Sequence, residues 1–108
     1  MQTSEIEFID RFKAVCVAES RNITGIYCAD LLSWAMGRAP EGCVWCTVMG
    51  NVNAIAVASL AEMAVVVLAQ GTPLQADARE KAQEHGIAVI ATSLPIFEAA
   101  KAIDALLH

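Results

Sequence analysis

The residues most able to do chemistry in this chain are its cysteines, and two of them, Cys43 and Cys46, hold the Cys-x-x-Cys spacing of redox motifs and metal knuckles. A metal knuckle wants a second such pair and a tight turn between its ligands. Here Val44 and Trp45 fill the interval, and Thr47-Val48-Met49 continue an extended apolar run. In a strand, residues three apart point to opposite faces, so no metal is expected at this pair. Cys16, Cys28, Cys43 and Cys46 lie among Val, Ile, Trp and Ala, which reads as reduced core or interface thiols. Redox chemistry through Cys43 and Cys46 is the alternative.

The histidines offer less. His85 precedes Gly86 at the end of a helical pattern, where a cation suits the helix dipole, and His108 is the last residue. Neither stands in a Ser–His–Asp or Cys–His arrangement, and Asp30 with Ser33 reads as helix-start chemistry. No catalytic residue and no cofactor are expected. The strongest binding constellation is three small polar loops, carrying Gly50, Asn51 and Asn53, then Gly71 and Thr72, then Thr92 and Ser93. Each precedes a helical pattern whose free N–H groups could hold a phosphate or carboxylate, with glycine allowing close approach. Ordinary strand-to-helix turns have the same composition. Walker A and Gly-x-Gly-x-x-Gly patterns are missing, which removes the usual kinase and dinucleotide readings.

These loops need a scaffold to bring them together. Expected strands are Phe12–Ala18, Ile23–Cys28, Cys43–Met49, Ala64–Ala69 and Ile87–Ala91. Expected helices run from an Asp30 cap to Gly37, over Val52–Glu62 with Asn51 or Asn53 as cap, around Gln75–His85, and over Pro95–Leu107 with Ile96, Ala99, Ala100, Ile103, Leu106 and Leu107 inward. Continuously apolar strands alternating with helices imply parallel neighbours and right-handed crossovers. The fold class is therefore α/β, a small, mainly parallel sheet flanked by helices, with the loops at the carboxyl ends of the strands, where open α/β sheets bind ligands.

The 108 residues suit one domain, 1–108, with 1–10 read as a tail. Hydrophobic types reach 56% and charged types only 18%, which excludes disorder. A net charge of −5 without a basic stripe argues against nucleic acid. Gly42–Gln70 carries a single charge, Glu62, but Gly50-Asn51-Val52-Asn53 interrupts it, so no membrane span is expected. The acids of Met1–Asp10 exclude a signal peptide, and the expected compartment is the cytoplasm. The two small-residue sides of Val52–Glu62, with Trp34 and Trp45, suggest surplus apolar surface that a homodimer would bury.

The order of Asp30-Leu31-Leu32-Ser33-Trp34-Ala35-Met36, Val44-Trp45-Cys46-Thr47, Asn53–Leu60, Gly71-Thr72-Pro73 and Lys81–Ile87 resembles the DRTGG domain family, especially its small stand-alone members, over roughly residues 14–107. The resemblance implies a fold similar to the N-terminal domain of the HPr kinase/phosphorylase enzymes. It also implies a homodimer with a non-catalytic regulatory or adaptor role, associated with a redox or signalling enzyme system. The alternative is a sensor that binds a nucleotide or other phosphate-bearing ligand at the three loops. Where the members that name the family show a Gly-Asp-Arg-like turn, this chain reads Gly50-Asn51-Val52-Asn53.

Overall fold

A computed structural model describes residues 2–6, 9–30 and 32–107. Leu31, which the sequence puts on a broad apolar helix face with Leu32, Trp34 and Ala35, and the terminal His108 lie outside the described residues. Five strands form one sheet: β1 (Phe12–Cys16), β2 (Gly25–Cys28), β3 (Cys43–Thr47), β4 (Val65–Leu68) and β5 (Ala88–Thr92). The helices are α1 (Thr3–Ile6), α2 (Leu32–Arg38), α3 (Val52–Leu60), α4 (Ala76–His85) and α5 (Ile96–Leu107). Spatial order is β1-β5-β4-β3-β2. Strands β2 to β5 are parallel, and β1 runs antiparallel beside β5 with a bulge between Ala14 and Cys16.

Because β2, β3, β4 and β5 add in sequence order, crossovers of one hand place all the connecting helices on one face. The core divides accordingly. On one side Trp45, Val66, Leu68 and Val89 pack with Ala35 of α2, Ala54, Ile55 and Ala58 of α3, and Ala78 and Ala82 of α4. On the other, Val44, Cys46, Val65, Val67 and Ile90 pack with Ala99 and Ile103 of α5 and Ile6 of α1. Every residue of β3 and β4 is buried, as their unbroken apolar runs require.

Several expected boundaries and roles change. Within the stretch read as a tail, Thr3–Ile6 is a helical turn, Ile6 is 0% exposed, and the Thr3 N–H donates to the Arg21 carbonyl. Helix α2 runs through Gly37 to Arg38, whose guanidinium stacks 4.0 Å from the centroid of the Trp34 ring one turn back. Strand β3 stops at Thr47 because the next N–H, of Val48, goes to the Asp30 carboxylate. Helix α3 stops at Leu60; Glu62 takes a left-handed φ of 55° while the Met63 N–H reaches back to the Ala58 carbonyl, a Schellman-type end. On α5, Ala99 and Ile103 are buried, but Leu106 is 57% exposed, outside the inner stripe.

The surplus-surface argument also changes. Trp45 is 0% exposed, its indole N–H donating to the Ala29 carbonyl at 2.9 Å. Helix α3 lies between α2 and α4, which cover its flanks, so the second small-residue side is not left wet. Trp34 remains 51% exposed.

Candidate functional site

The carboxyl ends of the parallel strands gather the loops that sequence singled out. The Gly50 carbonyl accepts the Gln75 N–H at 2.9 Å, and Gly50 is so close to Pro73 that a Cβ would collide with the Pro73 carbonyl oxygen. Gly71 N–H donates to the Thr92 carbonyl at 3.0 Å, and Gln70 N–H to the Leu94 carbonyl at 2.9 Å. The three loops are therefore neighbours, joined by their own backbones.

Their side chains divide by task. Asn51 caps α3, its Oδ1 accepting the Ala54 N–H at 2.9 Å. Thr92 is buried, and its Oγ1 accepts the Leu94 N–H. Gly50 is buried at the loop contact. Asn53, Gly71 and Ser93 face solvent, and Thr72 is half-buried. Gly71 has φ +70° with nothing within 4 Å of a built Cβ, so its outer side is open. The helices do not all begin at these loops: Pro73-Leu74-Gln75 intervene before α4, and Leu94-Pro95 before α5.

Asp30 joins this end in a role that differs from the expected helix cap. Its Oδ1 accepts the Thr47 hydroxyl at 2.7 Å and the Val48 N–H at 3.1 Å, so it ties the loop after β2 to the end of β3. Thr47 is fully buried, and this carboxylate is what satisfies its hydroxyl.

Sequence reasoning missed Arg11 and Lys13. Because β1 is antiparallel to β5, Phe12 pairs with Thr92 and Lys13 with Ala91, which brings two exposed cations to the carboxyl edge. Nothing local in Arg11-Phe12-Lys13 announces this; only the direction of the strand decides it.

The opposite end of the sheet differs in kind. A cavity of about 670 Å³ opens there, lined by Arg21, Thr24, Glu41, Ser59, Glu62 and His85 among others. It collects the carboxyl ends of α3 and α4 with two glutamates, and Arg21 donates to the Met63 carbonyl. His85 stands in the last turn of α4, and the cap is made by Gly86, at φ +66°, whose N–H donates to the Ala82 and Gln83 carbonyls.

The cysteines sort by face. Cys43 packs on the α2–α3–α4 side and Cys46 on the α5 side, so the two thiols of the Cys-x-x-Cys spacing are on opposite faces of the sheet. The neighbour of Cys46 is instead Cys28, its register partner on β2. Burial pushes the Cys43 thiol up to about 11 and raises that of Cys16, the latter opposed by the Arg79 guanidinium. Cys28 is lowered to about 7 because the Cys46 thiol donates to it, against its partial burial and the Asp30 charge. Cys46 moves far up for the complementary reason. Among the described residues no group of three or more His, Cys, Asp or Glu side chains could hold a metal ion, and no helix is long and apolar enough to cross a membrane.

No protein-family model and no curated protein matches the sequence. Among solved structures, the chain is similar to the crystal structure of the CBS and DRTGG domains of the regulatory region of Clostridium perfringens pyrophosphatase, complexed with its activator diadenosine tetraphosphate. The TM-score is 0.74 at 15% sequence identity, and the match covers 94% of this chain and 45% of that one. The chain thus spans less than half the length of the solved region. What the likeness establishes is the architecture: a small α/β domain with a mixed, mainly parallel sheet flanked by helices, sharing the fold of that DRTGG-containing regulatory region.

Proposed function

We propose that this chain is a non-catalytic regulatory domain that binds a nucleotide or another phosphate-bearing small molecule at the carboxyl ends of its parallel strands. The observation that carries the reading is the fold shared with an enzyme's regulatory region solved with a dinucleotide activator. The electrostatics favour one end of the sheet for such a ligand. Helices α3, α4 and α5 start there, and their N-termini attract anions; Arg11 and Lys13 add charge. The outer surface at Asn53, Gly71, Thr72 and Ser93 is the contact surface, while Gly50, Asn51 and Thr92 hold the loops in place. The amino end carries Arg21 and His85 but sets them among helix C-termini, Glu41 and Glu62, which disfavour phosphate.

The test is a titration of the isotopically labelled chain with ATP and with diadenosine tetraphosphate, followed by amide NMR. Shifts centred on Gly71, Ser93 and Asn53, weakened at least about tenfold in affinity by replacing both Arg11 and Lys13 with alanine, are expected. Shifts centred on Arg21 and His85, or none at millimolar ligand, would overturn the reading.

A second reading is a homodimeric adaptor for a redox or signalling enzyme. It is favoured by the exposure of Trp34 and of Phe97, the latter 70% accessible on α5. Sedimentation equilibrium at high protein concentration tests it: a single-chain mass throughout sinks the dimer.

A further inference from the structure

We propose that Cys28 is a hydroperoxide-reactive thiol and that Cys46 captures its oxidised form as an intrachain disulfide. Cys28 and Cys46 are register partners on adjacent parallel strands, so their side chains leave the sheet on the same face. Neighbouring strands lie about 4.8 Å apart, within the roughly 4.4–6.8 Å Cα separation that a disulfide spans. No other pairing is offered by the strands that carry cysteines: Cys43 pairs with Gly25, and Cys16 with Val89.

Access orders the two steps. Cys28 ends the edge strand β2 and is exposed, whereas Cys46 is 0% exposed behind it. A solvent-borne oxidant therefore meets Cys28 first. The hydrogen bond from the Cys46 thiol favours the Cys28 thiolate near neutral pH, the form that reacts. That thiolate attacks one oxygen of the hydroperoxide; the O–O bond breaks, Cys28 becomes a sulfenic acid, and the other oxygen leaves as alkoxide or hydroxide and takes a proton from water. The Cys46 sulfur then attacks the Cys28 sulfur, the S–O bond breaks, and the hydroxyl departs with the Cys46 proton as water. In sum two thiols are oxidised and one hydroperoxide is reduced to an alcohol, or to water when the oxidant is hydrogen peroxide, with one further water released.

The reduced full-length chain is treated with hydrogen peroxide, quenched with an alkylating agent, denatured and mapped without reduction. The expected product is one cross-linked peptide pair containing Cys28 and Cys46, with Cys16 and Cys43 still free thiols. Cys28→Ser slows oxidation at least about tenfold; Cys46→Ala halts it at a Cys28 sulfenic acid that dimedone traps; Cys43→Ala changes nothing. The wild-type map stands whether or not the variants fold, and circular dichroism checks each of them. A Cys43–Cys46 bond, an interchain Cys28–Cys28 bond, or oxidation no faster than in the same chain unfolded in urea would overturn the proposal.

Discussion

At the carboxyl end of the sheet the loops bind one another through Gly50–Gln75, Gly71–Thr92, Asp30–Thr47 and Trp45–Ala29, and the exposed groups include Asn53, Gly71 and Ser93, two cations delivered by β1, and the acids Asp30, Asp77 and Glu98. At the amino end the loops leave an open cavity rimmed by Arg21, Glu41, Glu62 and His85. The first end is tied together by hydrogen bonds and presents helix N-termini; the second is roomier and presents helix C-termini. The proposed anion site is therefore not at the cavity. That site rests on the sign of the helix dipoles and the direction of β1, which bring helix N-termini and two cations to the end with less open volume.

If this contrast is right, substitutions at the carboxyl end cost stability and those at the amino rim do not. The largest effect is expected from Trp45→Ala, about 3–5 kcal/mol by chemical denaturation, because it empties the core under α2 and α3 and frees the Ala29 carbonyl. Next comes Gly50→Ala, about 1–3 kcal/mol, since its Cβ must push Pro73 away. Gly37→Ala is its control: the site is open and inside α2, so a gain of about 0.5–1 kcal/mol is expected in the same assay. Asp30→Ala should cost about 1–3 kcal/mol by leaving the buried Thr47 hydroxyl without its acceptor; Asp30→Asn, which keeps an oxygen there, should recover much of it. At the other end Glu62→Gly should raise the melting temperature, worth about 1 kcal/mol, by relieving a left-handed glutamate. The exposed His85→Ala should stay within about 0.5 kcal/mol and leave phosphate affinity unchanged. A loss at His85 as large as that at Asp30 would erase the distinction between the two ends.

Much of the scaffold was legible because its signals are local. Val65–Leu68 is uniformly apolar and becomes a strand buried on both faces; Gly86 follows His85 and ends α4 in the left-handed conformation. The site loops were legible for the same reason, since Gly50-Asn51 and Gly71-Thr72 are punctuation between periodic segments. Their division of labour was only partly so. Asn51 as a cap was among the expectations, since its bond to the Ala54 N–H is local, but that Gly50 is needed for contact with Pro73 depends on which loop lies beside which. Asp30 misled because its proximity in sequence to α2 suggested a cap, while the nearer partner in space was Thr47. Cys43 and Cys46 were legible, because alternation along a strand is local and places the two thiols on opposite faces, as the structure has them.

Residue pattern alone determined that alternating apolar runs and helical periodicities would build an α/β sheet, because burial preference and backbone propensity act over a few neighbouring residues. Tertiary structure alone decided that Arg11 and Lys13 stand beside Thr92 and that Cys46 faces Cys28. Both depend on strand order and direction, and these are settled by the packing of segments far apart in the chain.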